Sequence, residues 1–256
     1  MKLRLLLIAF LLLVVNGILA QNKSLQTVEP TIGIGRLQVS LNDSIPLYRS
    51  ADDIRAFDTL VFSRITDGVD KGMFTISTKT KHKISPYVFE PGDSHSKATA
   101  NIALGLAYHH PVLVFRVTSL VKGSFEIVLN ESTFETCIIK KDKKHTLYTN
   151  GTPYWALNHS SEASAPAWFL YESWATYLKR LVAVSVNKPK MYDNPNGKLV
   201  LTSDVGISFQ PVYAIEQWLK VRLLTKEQKD GIRDDVWIRW TDGRKLLVTP
   251  IEEIYY

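Results

Sequence analysis

One cysteine, Cys137, serves the whole chain of 256 residues, so no disulfide can form within it. No C-x-x-C, H-E-x-x-H or P-loop pattern occurs, which removes the best-marked zinc and phosphate sites. Gly33-Ile34-Gly35 lacks the third glycine and the following helix of a dinucleotide site. After residue 20 no apolar run is long enough to cross a bilayer, which takes about 20 residues. Tryptophan is missing from the first 154 residues, yet six follow: Trp155, Trp168, Trp174, Trp218, Trp237 and Trp240. That step in composition predicts two regions with different cores.

The one long apolar run is at the start. Lys2 and Arg4 precede the eleven apolar residues Leu5 to Val15; Asn16 and Gly17 end the run, and Ala20 offers a small residue before Gln21. This is the pattern of an export signal over 1–20. It predicts a protein of the periplasm or the extracellular space, with no integral membrane segment once the signal is cleaved. No cysteine stands at the cleavage position, so a lipoprotein is not expected. Beyond the signal, basic residues exceed acidic ones by only four, a bias too mild to argue for nucleic acid. Lys140, Lys141, Lys143 and Lys144 form the one dense basic run and suit a solvated turn.

Residues 21–33 are polar and contain Pro30, giving a flexible leader. From Ile34 the pattern is mostly that of short strands. Leu37, Val39 and Leu41 alternate with Gln38, Ser40 and Asn42, a strand half in water. Further apolar runs lie at 60–62, 73–76, 112–117, 124–129 and 136–140, with Asp67-Gly68 among the turns. From Ser164 to Arg180, Ala167, Leu170, Tyr171, Trp174 and Leu178 recur every three or four residues. That spacing predicts a helix, with Lys179 and Arg180 in its last turn. Strands resume with Leu181 to Val186. The two halves echo each other weakly, each closing on two late strands and a charged turn; duplication or shared β-barrel grammar would account for it.

The strongest pattern lies at 181–248. Met191-Tyr192-Asp193 leads into Asn194-Pro195-Asn196-Gly197; Trp218-Leu219-Lys220-Val221 follows, then Val236-Trp237-Ile238-Arg239-Trp240. In Trp218 to Leu223, alternation turns Lys220 and Arg222 outward and Leu219, Val221 and Leu223 inward. Asn196-Gly197 and Asp242-Gly243 suit tight hairpins. This stretch resembles bacterial SH3-like (SH3b) domains of secreted proteins from Gram-negative bacteria. In that family the first element feeds a Pro/Gly loop, the second is a central strand opening on Trp, and the third closes the barrel.

The resemblance implies a mainly β protein of two small SH3-like β-barrels joined by a helical bridge. The expected divisions are 34–149, with an insertion at 64–110, the bridge at 150–180, and the second barrel at 181–256. Such folds are mostly binding modules. Tyr192, Tyr213, Trp218, Trp237 and Trp240 are the candidate ligand-binding residues, for a peptide, a peptidoglycan fragment or a protein partner. Trp237 and Trp240 are three apart, so a regular strand turns them to opposite faces. The competing expectation is that the aromatics form the seam between the two domains.

Catalysis, cofactors and metals are not expected. Cys137 lies in an apolar strand pattern, the setting of a buried structural thiol. His109 and His110, as strand neighbours, would point to opposite faces and could hardly share a metal. Asp93-Ser94-His95 follows Pro91-Gly92 and reads as a polar loop, because catalytic triads draw on distant segments. Asp234-Asp235 and Glu252-Glu253 lie beside turns or at the chain end. A hydrolase built on the 81–111 region is the least favoured reading, and it needs Asp93 and His95 to share a pocket.

Overall fold

A computed structural model describes residues 26–27, 31–40, 44–87, 112–141, 146–149, 168–223 and 235–251. The expected export signal at 1–20, Asp93, His95, His109 and His110 lie outside these. The elements of the first half are β1 (Gln26–Thr27), β2 (Gly35–Ser40), β3 (Ser44–Leu47), β4 (Asp58–Arg64), β5 (Phe74–Thr78), β6 (Val112–Val121), β7 (Ser124–Asn130), β8 (Glu135–Ile139), β9 (Thr146–Thr149) and β10 (Trp168–Ser173). Then come α1 (Trp174–Arg180), β11 (Ala183–Val186), β12 (Lys190–Tyr192), β13 (Leu199–Thr202), β14 (Ile207–Ile215), β15 (Trp218–Leu223), β16 (Asp235–Arg239) and β17 (Thr249–Ile251). The protein is mainly β, and among the described residues α1 is the only helix.

The strands form three sheets. One has seven strands in the order β1-β8-β7-β6-β2-β10-β9; a second has seven in the order β13-β12-β16-β15-β14-β11-β17; the third is β3-β4-β5. Among the described strands pairing is antiparallel apart from the parallel pair of β9 with β10.

In the first half, Leu37 and Val39 on β2 stand opposite Phe115 and Leu113 on β6. Their shared face packs with Ile45, Leu47, Leu60, Phe62 and Ile76 of the small sheet, so the two sheets enclose one core. The other face of β2 is also buried, and it is polar: Arg36 and Gln38 are covered. Arg36 lies between Arg116 of β6 and Glu172 of β10 in register. Glu172 is fully buried and accepts from Arg180 Nε (2.6 Å) and Nη2 (2.8 Å). The Arg36 guanidinium sits 3.9 Å from the centre of the Tyr177 ring.

The second half folds α1 onto the inner face of its sheet. Trp174, Leu178, Leu181, Val184, Met191, Phe209, Leu219, Val221, Val236 and Ile238 make its core, and Ile32 from the first half joins them.

Two expectations need correction. Residues 168–173 are a strand, and the helix keeps only its last two turns. Phe169 and Leu170 are both buried, as the two faces of a strand held between β2 and β9 require. A run of Trp, Phe, Leu and Tyr suits such a strand, and tertiary pairing outweighs the helical spacing. Ser173 then caps the helix, its Oγ accepting from Thr176 N at 3.2 Å. Of the expected bridge at 150–180, the described part, 168–180, is thus a strand followed by a short helix. Its strand completes the first sheet. Nor does any sheet close on itself among the described residues. Within the expected insertion at 64–110, β5 pairs with β4 along its whole length.

Candidate ligand-binding face

β14, β15 and β16 run side by side, and their alternation separates two faces. Val236 and Ile238 point into the core, so Asp235, Trp237 and Arg239 point out. Register then aligns the outward residues in rows. The middle row is Tyr213, Lys220, Trp237, Tyr192 and Leu199, one residue from each of five strands. On one side lies the row Ile215, Trp218 and Arg239; on the other, Gln210, Arg222 and Asp235. At about 4.8 Å between strands the middle row is roughly 19 Å long.

The rings pair edge to face. Tyr213 and Trp237 lean together with centroids 6.4 Å apart and planes at 80°; Tyr192 and Trp218 do the same at 5.1 Å and 80°. Tyr213 is 51% exposed and Leu199 52%, while Trp237 and Tyr192 are half-buried. Trp218 is only 4% exposed, although its position is on the outer face. Tyr192 covers it from one side, and the Arg239 guanidinium lies 5.7 Å from its ring. Its indole N–H is buried without a hydrogen-bond partner. Asp235 is bound by Lys220 at 3.0 Å and by Arg222 at 3.3 Å. The Lys220 hydrogen bond, with the charges of Lys220 and Arg222, holds its carboxyl below the ordinary value.

Trp240 belongs elsewhere. It is 4% exposed and faces inward, with its ring 6.1 Å from Trp174. Its indole N–H donates to the Glu216 carbonyl at 2.8 Å. That of Trp174 donates to the Ile32 carbonyl at 2.9 Å, and Ile32 N–H donates to the Gly243 carbonyl at 2.8 Å. Gly33 turns the chain here with φ 74°, and a Cβ on it would stand 2.3 Å from the Val117 carbonyl oxygen. Arg116 strengthens the same junction. It is paired with Glu131 and donates to the carbonyls of Thr31 and Arg244 (3.0 Å for the latter). Tyr87 packs edge-on to Trp174 at 5.9 Å, and its burial pushes the phenol up to about 12. A cleft of about 390 Å³ lies along this seam, lined by Ile32, Ile34, Trp174, Ala214 and Trp240.

Of the five candidate aromatics, then, the structure brings four together and places Trp240 apart. Leu199 and Arg239 join the face without having been expected there. Lys220 and Arg222 are outward as alternation requires, but which aromatics flank them depends on cross-strand register, which the local sequence does not display. Cys137 is buried, and desolvation raises its thiol far above the ordinary value. Among the described residues no group of three His, Cys, Asp or Glu side chains is arranged to hold a metal, and no helix is long and apolar enough to cross a membrane. No protein-family model, no curated protein and no solved structure matches this chain.

Proposed function

We propose that the protein is an exported, non-catalytic binding module, periplasmic or extracellular, that holds an extended ligand on the outer face of its second sheet. The observation that carries this reading is the row Tyr213–Lys220–Trp237–Tyr192–Leu199, in which Tyr213 and Leu199 are exposed and Trp237 and Tyr192 half-exposed on the face turned away from the core. An SH3-like end is supported by three details. β12 leads into a turn containing Pro195 and Gly197, with Asn196 at φ 61°. β15 opens on Trp218 and lies within the sheet, and β16 carries Trp237 opposite Tyr192. A cell-wall fragment is the first ligand to try, ahead of a peptide or a protein partner. Tryptophan fluorescence of the mature protein, titrated with peptidoglycan fragments, gives a saturable shift that Trp237→Ala abolishes while Trp240→Ala keeps it. A flat response from the wild-type protein removes the wall ligand.

A second reading, a structural or assembly role, is favoured by the seam of Trp240 against Trp174. It assigns the aromatics to holding the two halves together. Under it Trp237→Ala changes neither binding nor assembly.

A further inference from the structure

The chemistry of the outer face limits what can lie on it. Side chains on it donate far more than they accept. Lys220, Arg222 and Arg239 are cationic, and Asp235 is the one carboxylate in the three rows. That carboxylate is already shared between Lys220 and Arg222. Arg239 bonds only a neutral partner, Gln217 Oε1 at 2.6 Å, and stacks on Trp218. A ligand that completes this face supplies acceptors and negative charge to rings and cations together.

Geometry separates the possible chains. The row crosses five strands, so a chain following it runs across the sheet and not along an edge. A peptide that adds to a sheet uses backbone hydrogen bonds at an edge strand, and the face offers none. A single-stranded nucleic acid needs a continuous basic groove along its phosphates, whereas the middle row carries one cation, Lys220, among rings and Leu199. Sugar rings lie flat on aromatic side chains, and acidic ones bring the missing charge.

We infer that the ligand of this face is an acidic glycan, whose carboxylates displace Asp235 from Lys220 and pair with Arg239. The inference rests on the binding-module reading and adds the ligand's charge and class. Asp235 is thereby an internal competitor, so removing it helps the ligand.

The test uses the full mature chain, with tryptophan fluorescence and calorimetry. The probes are an oligogalacturonate, a neutral chito-oligosaccharide of equal length, a poly-glutamate peptide and an oligothymidylate. The expected result is that the oligogalacturonate binds best and weakens as salt is raised. Asp235→Asn tightens it about two- to fivefold, and Lys220→Gln and Arg239→Gln each loosen it by a similar factor. Opposite signs at Asp235 and Lys220 separate competition from simple loss of structure, and circular dichroism and melting of each variant confirm the fold. Equal binding of the neutral sugar, with no response to Asp235→Asn, overturns the acidic ligand and leaves the module reading in place. Preference for poly-glutamate or for the oligothymidylate overturns the glycan. Binding of no probe, with Trp237→Ala silent throughout, overturns the inference together with the reading beneath it.

Discussion

The two seven-stranded sheets solve the same packing problem in opposite ways. In the first, β2 is buried on both faces: Leu37 and Val39 enter an apolar core, while Arg36 and Gln38 enter a layer of ion pairs. In the second, β16 is buried on one face only, with Val236 and Ile238 inside and Trp237 and Arg239 outside. Polar residues are hidden in one sheet and aromatic residues are displayed in the other. Burial alone therefore says little about role here: the charged layer of the first half ties β2, β10 and α1 together, whereas the second sheet leaves its rings half-exposed on the outer face. Trp237 and Trp240 show the same contrast within four residues of chain.

Substitutions can break this contrast, and the largest effect falls at the seam. Trp240→Ala removes a buried indole from between the halves and costs about 3–5 kcal/mol in denaturant unfolding. Arg116→Met leaves Glu131 without its cation and frees two backbone carbonyls at the junction, with a loss of about 3–5 kcal/mol. Changing Glu131→Leu in the same chain recovers part of that loss, because no buried charge is then left alone. Gln38→Met tests the opposite sign. Both polar atoms of the Gln38 amide are buried without partners, so an unbranched apolar side chain raises stability by about 1–2 kcal/mol. A drop in melting temperature would instead mean that the amide is hydrogen-bonded in solution. Trp237→Ala is the smallest: its unfolding free energy falls by less than about 1 kcal/mol, and under the proposed function ligand binding is what it loses.

Much of the mainly β character was legible in the chain. The alternation at Trp218 to Leu223 separates inward from outward residues as the sheet does, since period two is a property of the strand itself. The spacing of Trp237 and Trp240 likewise anticipates their opposite faces. What failed to show was non-local. Leu170, Tyr171 and Trp174 fit a helix by spacing, yet Phe169 and Leu170 are buried on opposite sides of a strand whose partners lie about as far back as residue 40. No local pattern reports a partner so distant. The same holds for the site: Lys220 flanked by Tyr213 and Trp237 is a consequence of register across three strands. Gln38 reads as the wet side of β2, and a second buried face has no signature in a single alternating strand.

The place of β10 bears on how the protein is made. β2 pairs with β6 on one side and with β10 on the other, Ser40 opposite Trp168. A chain that emerges from its N-terminus therefore carries β2 as an open edge until residue 173 is available. Long-range pairing of this kind is slow, and an apolar edge left waiting invites pairing with another chain. A fragment ended at residue 149 keeps that edge permanently, although the composition of the chain suggests a boundary there. The unit of folding ends with the strand that looked like a linker.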